Sequence, residues 1–285
     1  MSVRLLLCTD LDRTLLPNGE QPESPQARAL FARLAARPGV TLVYVTGRHR
    51  ALVQTALDEY QLPRPAHVIT DVGTRIYDVG PVAWYHNPDW QAEIAADWAG
   101  VTHAQLVELF AGMTQLELQE PDRQNDFKLS YYLPLEVDRP ALMERMQALL
   151  QDRGVRASLI WSIDDLQQVG LLDVLPAGAT KLHALDFLRT RLGFSLAETL
   201  FAGDSGNDLP VLASNIPAVL VANASEVVRA DALQQAASLG HRAALYLACG
   251  GFLGMNGNYS AGIIEGLAHF LPASLDFLKQ EQGHD

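Results

Sequence analysis

The stretch that decides the fold is Leu5-Leu6-Leu7-Cys8-Thr9-Asp10-Leu11-Asp12-Arg13-Thr14-Leu15. Its apolar beginning is typical of a β-strand buried on both faces, and it ends abruptly in two carboxylates one residue apart. If the chain stays extended, alternation places Asp10 and Asp12 on the same side. Their charges repel there unless a cation or a shared proton lies between them. Taken alone, such a pair fits a strand end with a solvated aspartate turn better than a functional site.

The composition limits the possible classes of protein. The 285 residues carry a formal net charge of −12 and no block rich in lysine or arginine, so extended nucleic-acid binding is not expected. A hydrophobic share of 48% suits a globular protein with a sizeable core. Cys8 and Cys249 lie far apart and predict no disulfide framework. We find neither a signal peptide nor an apolar run of about 20 residues, so we expect a soluble cytoplasmic protein.

The order of predicted elements indicates an α/β protein with an insertion. Strands and helices alternate up to residue 70, which predicts a doubly wound parallel sheet of the Rossmann-like type. From about residue 82 the pattern is that of an α+β module, and the α/β rhythm resumes at residue 178. We predict a core domain formed by residues 1–80 and 176–285, with an inserted α+β domain at residues 81–175. The glycine-rich segment, residues 247–259, fits no regular element and is interpreted as a mobile loop in preference to a glycine-rich phosphate cradle.

Three further stretches place polar side chains at predicted strand ends or helix starts. They are Val45-Thr46-Gly47-Arg48, the lysine Lys181, and Gly203-Asp204-Ser205-Gly206-Asn207-Asp208. Each has a structural alternative: a strand terminus with a turn glycine, a lysine that extends to the surface, and a turn with a helix N-cap. Because a cation in the first turn of a helix opposes the helix dipole, phosphate binding explains Lys181 better. Arg48 is expected to support the start of a helix or to pair with a nearby acid.

Together with Asp10-Leu11-Asp12-Arg13-Thr14-Leu15, these stretches resemble the four ordered motifs of the haloacid dehalogenase superfamily. The resemblance implies phosphoryl transfer, with Asp10 as the nucleophile and Asp12 as the general acid/base. The implied catalytic set is Asp10, Asp12, Thr46 and Lys181. The implied ligands of a Mg²⁺ ion are Asp10, Asp12 through its backbone carbonyl, Asp204 and Asp208. The implied phosphate-binding residues are Thr46, Gly47, Lys181 and Asn207.

Two more stretches narrow the resemblance. Val72-Gly73-Thr74-Arg75-Ile76-Tyr77 and Phe127-Lys128-Leu129-Ser130-Tyr131 look like the sucrose-phosphate phosphatase branch, in which the inserted domain is a C2-type cap that grips the sugar. The implied substrate-binding residues are Thr74, Arg75, Lys128 and Ser130. Lys128 and Ser130 fit an alternating surface strand equally well, and Arg75 fits a residue that faces solvent or pairs with an acid. Arg75 stands where the branch typically carries glutamate, so a ligand that it contacts would have different hydroxyls or a second anionic group.

The expected function is that of a Mg²⁺-dependent phosphatase that hydrolyses a sugar phosphate through an aspartyl-phosphate intermediate. The alternatives are a phosphatase for another glycosyl phosphate of the trehalose or glucosylglycerate type, a phosphosugar mutase, and a sugar-phosphate-binding regulator without turnover. Asp12 argues against the regulator, because a protein that only binds needs no acid/base group. The expected partner is a small phosphorylated sugar, and neither nucleic acid nor a membrane.

Overall fold

The computed structural model describes residues 4–164 and 167–276. Its strands are, in chain order, β1 (Leu5–Thr9), β2 (Val40–Val45), β3 (His67–Thr70), β4 (Arg75–Val79), β5 (Trp84–His86), β6 (Glu117–Leu118), β7 (Leu129–Leu133), β8 (Ala157–Asp164), β9 (Val169–Pro176), β10 (Thr199–Gly203), β11 (Ala218–Leu220) and β12 (Leu245–Leu247). Its α-helices are α1 (Ala27–Ala35), α2 (Arg50–Glu59), α3 (Pro88–Ala95), α4 (His103–Phe110), α5 (Arg139–Asp152), α6 (Lys181–Arg191), α7 (Leu209–Leu212), α8 (Glu226–Ser238) and α9 (Ser260–Phe270). None of these helices is long and apolar enough to cross a membrane.

The strands form two sheets. The larger has the order β12-β11-β10-β1-β2-β3-β4-β5; it is parallel from β12 to β3, and β4 and β5 join it in antiparallel fashion. The smaller is antiparallel and has the order β6-β7-β9-β8. A largely parallel sheet whose strands alternate with helices confirms the predicted doubly wound α/β core. The antiparallel sheet belongs to the inserted α+β domain.

Strand β1 occupies the middle of the larger sheet. It pairs with β2 on one side and with β10 on the other, and all five of its residues are buried. Such a position explains the continuous apolar run, because both faces of a central parallel strand are covered. The strand ends at Thr9, so Asp10 begins the loop at the carboxyl edge of the sheet, where open α/β sheets bind their ligands.

The described residues divide into two compact units, with boundaries at 86/87 and 180/181. The sequence predicts these boundaries earlier in the chain, at 80/81 and 175/176. The first boundary differs because β5 pairs with β4, which keeps the chain up to His86 in the larger unit. The second differs because β9 pairs with β8 through Pro176. Residues 1–3 and 277–285 of the predicted core domain lie outside the described residues, and a cap function for the smaller unit remains a prediction.

The glycine-rich segment, residues 247–259, runs from the end of β12 to α9 as a loop with one 3-10 turn, and hydrogen bonds hold it in place. Glu265, buried in α9, accepts hydrogen bonds from the backbone N–H groups of Cys249 (3.0 Å) and Gly250 (2.9 Å) and from the Tyr246 hydroxyl (2.9 Å). Gly250 and Gly257 have φ angles of 86° and 76°, and a Cβ on Gly257 would lie 2.7 Å from the Gly250 nitrogen. These contacts require glycine at both positions, which explains a composition that sequence patterns alone assign to a loop.

Helix α9 approaches β11 closely at Gly266, where a Cβ would lie 2.6 Å from the Val219 Cβ. We expect Gly266→Ala to lower the free energy of unfolding by about 1–3 kcal/mol, because the helix or the strand has to move to admit the methyl group. This loss should outweigh the better helix propensity of alanine. Denaturant unfolding measures it, with Gly112→Ala as the control, since no atom lies within 4 Å of a Cβ at Gly112. Equal transition midpoints for Gly266→Ala and the wild type would contradict the close approach.

Candidate active site

Asp10, Asp204 and Lys181 come from three elements that end or begin at the same edge of the larger sheet. Asp10 follows β1 and its backbone N–H donates to the Ala202 carbonyl of β10 (2.9 Å), while Asp204 follows β10 directly. Lys181 is the first residue of α6. Because β1 and β10 are parallel neighbours, the residues that follow them lie side by side, as the sequence predicts.

Three buried carboxylates gather here. Asp10, Asp204 and Asp208 each offer an oxygen, and these oxygens lie within 4.8 Å of one another. Burial, with the negative charges of Asp208 and Asp204 nearby, raises the pKa of Asp10 to about 8, although Lys181 opposes the shift. Burial and the charge of Asp208 likewise raise the pKa of Asp204 to about 6. Ionisation of all three carboxylates at once is therefore unfavourable when no metal ion is bound.

Lys181 supplies a positive charge inside this cluster. The side chain is fully buried, and its Nζ donates to Asp208 Oδ1 (2.7 Å) and to Asn207 Oδ1 (2.9 Å) and lies 3.3 Å from Asp10 Oδ1. Burial alone would lower the pKa of Lys181, but the charges of Asp10 and Asp208 raise it above the usual value. The surface-lysine alternative is therefore excluded. Lys181 contacts two of the three carboxylates, and the Arg13 guanidinium lies 3.5 Å from the third, Asp204, so two cations face three carboxylates.

Asp208 organises the loop that carries Asp204. Its Oδ2 accepts hydrogen bonds from the backbone N–H groups of Asp204 and Ser205 (3.1 Å each). A Cβ at Gly203 would lie 2.6 Å from the Asp208 Cγ, so the loop closes this tightly because residue 203 is glycine. Asp208 thus accepts from the loop with one oxygen and from Lys181 with the other.

The Asp12 carboxylate pairs with Arg48. Arg48 Nε donates to Oδ2 (2.7 Å) and Nη2 to Oδ1 (2.6 Å), and Asn18 Nδ2 also donates to Oδ1 (2.7 Å). The side chain is 41% exposed. Burial alone would raise its pKa, but the hydrogen bonds and charge of Arg48, with the Asn18 hydrogen bond, lower it below the usual range. The extended conformation does not continue through Asp10 and Asp12. The strand ends at Thr9, and the chain then turns, with the N–H groups of residues 14–16 donating to the Leu11 carbonyl.

The loop after β2 carries Thr46 and Gly47. Thr46 is buried; its N–H donates to the Ile69 carbonyl (2.8 Å) and its Oγ1 accepts from the Arg48 N–H (3.1 Å). A Cβ on Gly47 would lie 3.9 Å from Asn207 Nδ2, so the loops after β2 and β10 meet at this point. The predicted phosphate-binding residues of these two loops therefore lie next to each other.

The predicted substrate-binding residues Thr74 and Arg75 follow an unusual turn after β3. Asp71, Val72 and Gly73 all have φ between 51° and 103°, a conformation that is costly for a β-branched valine. Thr74 is buried and its hydroxyl donates to the Asp71 carbonyl (3.1 Å), which closes the turn. Arg75 begins β4, and its Nη1 lies 3.1 Å from Nδ1 of His86 on β5.

Lys128 and Ser130 lie in the smaller unit and form a polar cluster with Asp173 of β9. Lys128 Nζ lies 3.1 Å from Asp173 Oδ1 and donates to the Arg123 carbonyl (3.0 Å), while Ser130 Oγ donates to Asp173. The neighbouring Leu129 and Tyr131 point to the apolar core of the unit, so β7 does alternate. Both polar side chains are nevertheless buried, and each is held by an acid within its own unit.

Two interactions at the site escaped the sequence analysis. Asn18 bridges the Asp12 carboxylate and the backbone N–H of Arg13 (2.8 Å), although it belongs to no motif and lies in an exposed loop. Arg13 has a left-handed φ of 56°, and its Nε lies 3.5 Å from Asp204 Oδ2. Of the residues that contact Asp12, only Arg48 could be found from the sequence, since pairing with a nearby acid was one of its two predicted roles.

The sequence and the fold of this chain are similar to those of known proteins. The family model for sucrose-6F-phosphate phosphohydrolase matches residues 3–271. A putative HAD-like hydrolase from Nitrosococcus oceani is 55% identical over 272 residues, which cover 95% of this chain and 73% of that protein. The mannosylfructose-phosphate phosphatase of Agrobacterium fabrum is 28% identical over 93% of this chain and 96% of its own. The sucrose-phosphatase of Synechocystis sp. PCC6803, solved with sucrose and phosphate, has a TM-score of 0.68 at 24% identity and covers 94% of this chain and 98% of its own. These matches confirm the resemblance that the motifs indicate.

Proposed function

Because this chain belongs to the sucrose-6F-phosphate phosphohydrolase family of haloacid-dehalogenase-like phosphatases, we propose that it hydrolyses a sugar phosphate with the help of Mg²⁺. One observation carries the proposal. Asp10, Asp204 and Asp208 lie buried with Lys181 at the edge of the sheet where ligands bind, and their charges do not balance. Such crowding costs stability unless a bound cation neutralises it, and a cation there would also attract an anionic substrate.

The donor set fits Mg²⁺. Carboxylate and carbonyl oxygens are the hard ligands that this ion prefers, together with water and substrate phosphate. Asp10, Asp204 and the backbone carbonyl of Asp12 would hold the ion, and Asp208 would keep the Asp204 loop and Lys181 in place. Bound Mg²⁺ would reduce the repulsion between an anionic nucleophile and an anionic phosphate.

The residues divide the reaction into two displacements. An Asp10 carboxylate oxygen bonds to phosphorus while the bond from phosphorus to the sugar oxygen breaks, and Asp12 gives its proton to that oxygen. A water molecule then attacks phosphorus, Asp12 takes a proton from it, and the bond to Asp10 breaks to release phosphate. Lys181, Thr46 and the backbone N–H groups near Gly47 and Asn207 orient the phosphoryl oxygens.

Arg48 sets the protonation state of Asp12. The ion pair keeps the carboxylate ionised, since it lowers the pKa of Asp12, and an ionised carboxylate is the form that accepts a proton from water. Donation to the leaving sugar oxygen needs the opposite form. The ion pair must therefore loosen when the substrate is bound, so that Asp12 is protonated for the first displacement and returns to Arg48 for the second.

The relatives named above support a proposal for the class of substrate. Two of the relatives named above are a mannosylfructose-phosphate phosphatase and a sucrose-phosphatase, so phosphorylated disaccharides are the first candidates. Lys128 and Ser130 stay proposed as sugar contacts by the resemblance alone, since both are buried and already bind Asp173. Arg75 would add a donor, whereas the buried Thr74 would act by holding the turn after β3.

A phosphatase screen tests the proposal. The panel contains sucrose 6-phosphate, trehalose phosphate, hexose monophosphates and an acidic glycosyl phosphate, each assayed with Mg²⁺ and after exhaustive chelation. We expect release of inorganic phosphate from at least one of them, lost on chelation and restored by Mg²⁺. Loss of a residue that only supports a metal ligand typically costs about 10- to 100-fold in affinity. Because Asp204 would be a direct ligand, Asp204→Asn should raise the Mg²⁺ concentration needed for half-maximal activity by at least that much.

The other possible outcomes separate the alternative functions. Full activity after chelation would refute the metal requirement. A phosphosugar mutase would return an isomeric sugar phosphate without release of phosphate. A binding protein would return every substrate unchanged.

A further inference from the structure

A chain of hydrogen bonds connects Asp12 to the glycine-rich segment, residues 247–259. Asn18 Nδ2 donates to Asp12 Oδ1 (2.7 Å), and Asn18 Oδ1 accepts from the Arg13 N–H (2.8 Å). Asn223 Nδ2 donates to the Arg13 carbonyl (2.6 Å), and Asn223 Oδ1 accepts from the Tyr259 N–H (2.8 Å). The two asparagines thus hold the peptide groups on both sides of Arg13, the residue that follows Asp12.

The glycine-rich segment also holds the far end of the same loop. Asn256 Nδ2 (2.8 Å) and Asn258 Nδ2 (3.0 Å) both donate to the Pro22 carbonyl, and the Tyr259 hydroxyl donates to the Gln21 carbonyl (3.0 Å). A Cβ on Gly19 would lie 2.8 Å from that hydroxyl. The loop from Asp12 to residue 24 is therefore fastened to the segment at its beginning and at its end.

Tyr259 is held in a conformation that tyrosine rarely adopts. Its φ is 51° and its ψ is −132°, and the side chain is completely buried. Backbone strain of this kind persists where the surrounding contacts over-determine it, and it is concentrated at functional sites. Here the strained residue aims its N–H at Asn223 and its hydroxyl at the Asp12 loop.

We propose that Asn18 and Asn223 are positioning residues for Asp12 and that the glycine-rich segment is the support from which they act. This inference rests on the proposed function, in which Asp12 is the acid/base. The Asp12 side chain is 41% exposed, so packing alone does not fix its rotamer. Arg48 binds both oxygens of the carboxylate, and Asn18 also donates to Oδ1. Asn18 is itself fixed through Arg13 and Asn223, so it helps to set the position of Oδ1.

The test separates proton donation from the rest of the reaction by the choice of leaving group. A sugar alkoxide needs a proton as it leaves, whereas p-nitrophenolate is stable without one. We would measure single-turnover cleavage of the best sugar phosphate and of p-nitrophenyl phosphate, with the whole chain in excess and Mg²⁺ present. The variants are Asn18→Ala, which removes the contact with Asp12, and Asn223→Asp, which keeps an acceptor for Tyr259 but loses the donor to Arg13. Glu20→Ala, an exposed change in the same loop, is the control.

Both variants should cleave the sugar phosphate about 10- to 100-fold more slowly, as expected for a misplaced reacting group. In Asn18→Ala the enzyme concentration that gives half the maximal single-turnover rate and the melting temperature should both be retained. Release of p-nitrophenolate should stay at the wild-type rate, and Glu20→Ala should behave as the wild type with both substrates. Equal slowing with both substrates would assign the asparagines a purely structural role and overturn the inference, as would unchanged rates. If Asn223→Asp does not fold, the exposed Asn18 decides alone. A wild type that cleaves neither substrate would instead reject the proposed function itself.

Discussion

Replacement of Asp10 by asparagine is expected to lower turnover by more than about 10⁴-fold, in line with the removal of other essential nucleophiles. The amide has the shape of the carboxylate, but it provides no anionic oxygen to form the bond to phosphorus. Phosphate release at saturating substrate and Mg²⁺ measures the loss, and circular dichroism checks that the variant is folded. Asp186→Asn is the matched control, since Asp186 lies half exposed on α6 in an ion pair with Arg189. Phosphate release near the wild-type rate by Asp10→Asn would refute the nucleophile assignment.

The same variant should change how stability depends on pH in metal-free buffer. Burial and the neighbouring carboxylates raise the pKa of Asp10 from 3.8 to about 8, so the folded protein disfavours its ionised form. A carboxyl with a raised pKa contributes its full stability below pH 3.8 and loses it as the pH rises towards 8. Melting temperatures measured with a chelator should therefore show Asp10→Asn gaining on the wild type across this interval. A difference between the two proteins that does not vary with pH would contradict the raised pKa.

Lys181→Met is expected to destabilise the metal-free protein by about 3–5 kcal/mol, the usual cost of removing one partner from a buried ion pair. The three carboxylates would then face one another without the ammonium group that now contacts two of them. Denaturant unfolding in the presence of a chelator measures the effect. The loss should be larger at pH 8 than at pH 5, because protonation of Asp10 and Asp204 relieves the repulsion.

A double variant tests whether charge is the cause of that loss. Lys181→Met combined with Asp208→Asn should recover part of the stability, because the second change removes the negative charge closest to the missing ammonium. Additive losses in the double variant would show that Lys181 matters for packing and not for its charge.

The residues that follow parallel strands could be placed from the sequence, because strand ends follow from buried apolar runs and the order of the motifs carries the resemblance. Asp10 after β1, Asp204 after β10 and Lys181 at the start of α6 meet as the motif order predicts. Strand β5 was not predicted, since three residues carry too little pattern, and this shifts the first boundary between the units. The turn after Asp10 was not predicted either. Pairing of Arg48 with a nearby acid was therefore one of two predicted roles, and the acid, Asp12, was not identified.

The contacts of the glycine-rich segment, of Asn18 and of Asn223 could not be predicted from the sequence. The segment is a loop, as predicted, but the contacts that hold it are tertiary: Gly250 packs against Gly257, and Glu265 accepts from the backbone N–H groups of Cys249 and Gly250. Asn18 and Asn223 carry no motif, and each acts through a backbone group distant in sequence. No local pattern encodes such a partnership.

The central place of β1 has a consequence for the order of folding during synthesis. Its four apolar residues leave the ribosome well before β10, one of the two strands that pair with β1, which begins at Thr199. The smaller unit emerges in between with every partner of its antiparallel sheet inside its own sequence. Pairing of β1 with β10 is a distant loop closure, so it comes late and is slow compared with local contacts. Until then β1 can pair with β2 but its other edge stays open, so we expect the nascent chain to be most prone to aggregation before residue 203 has been synthesised.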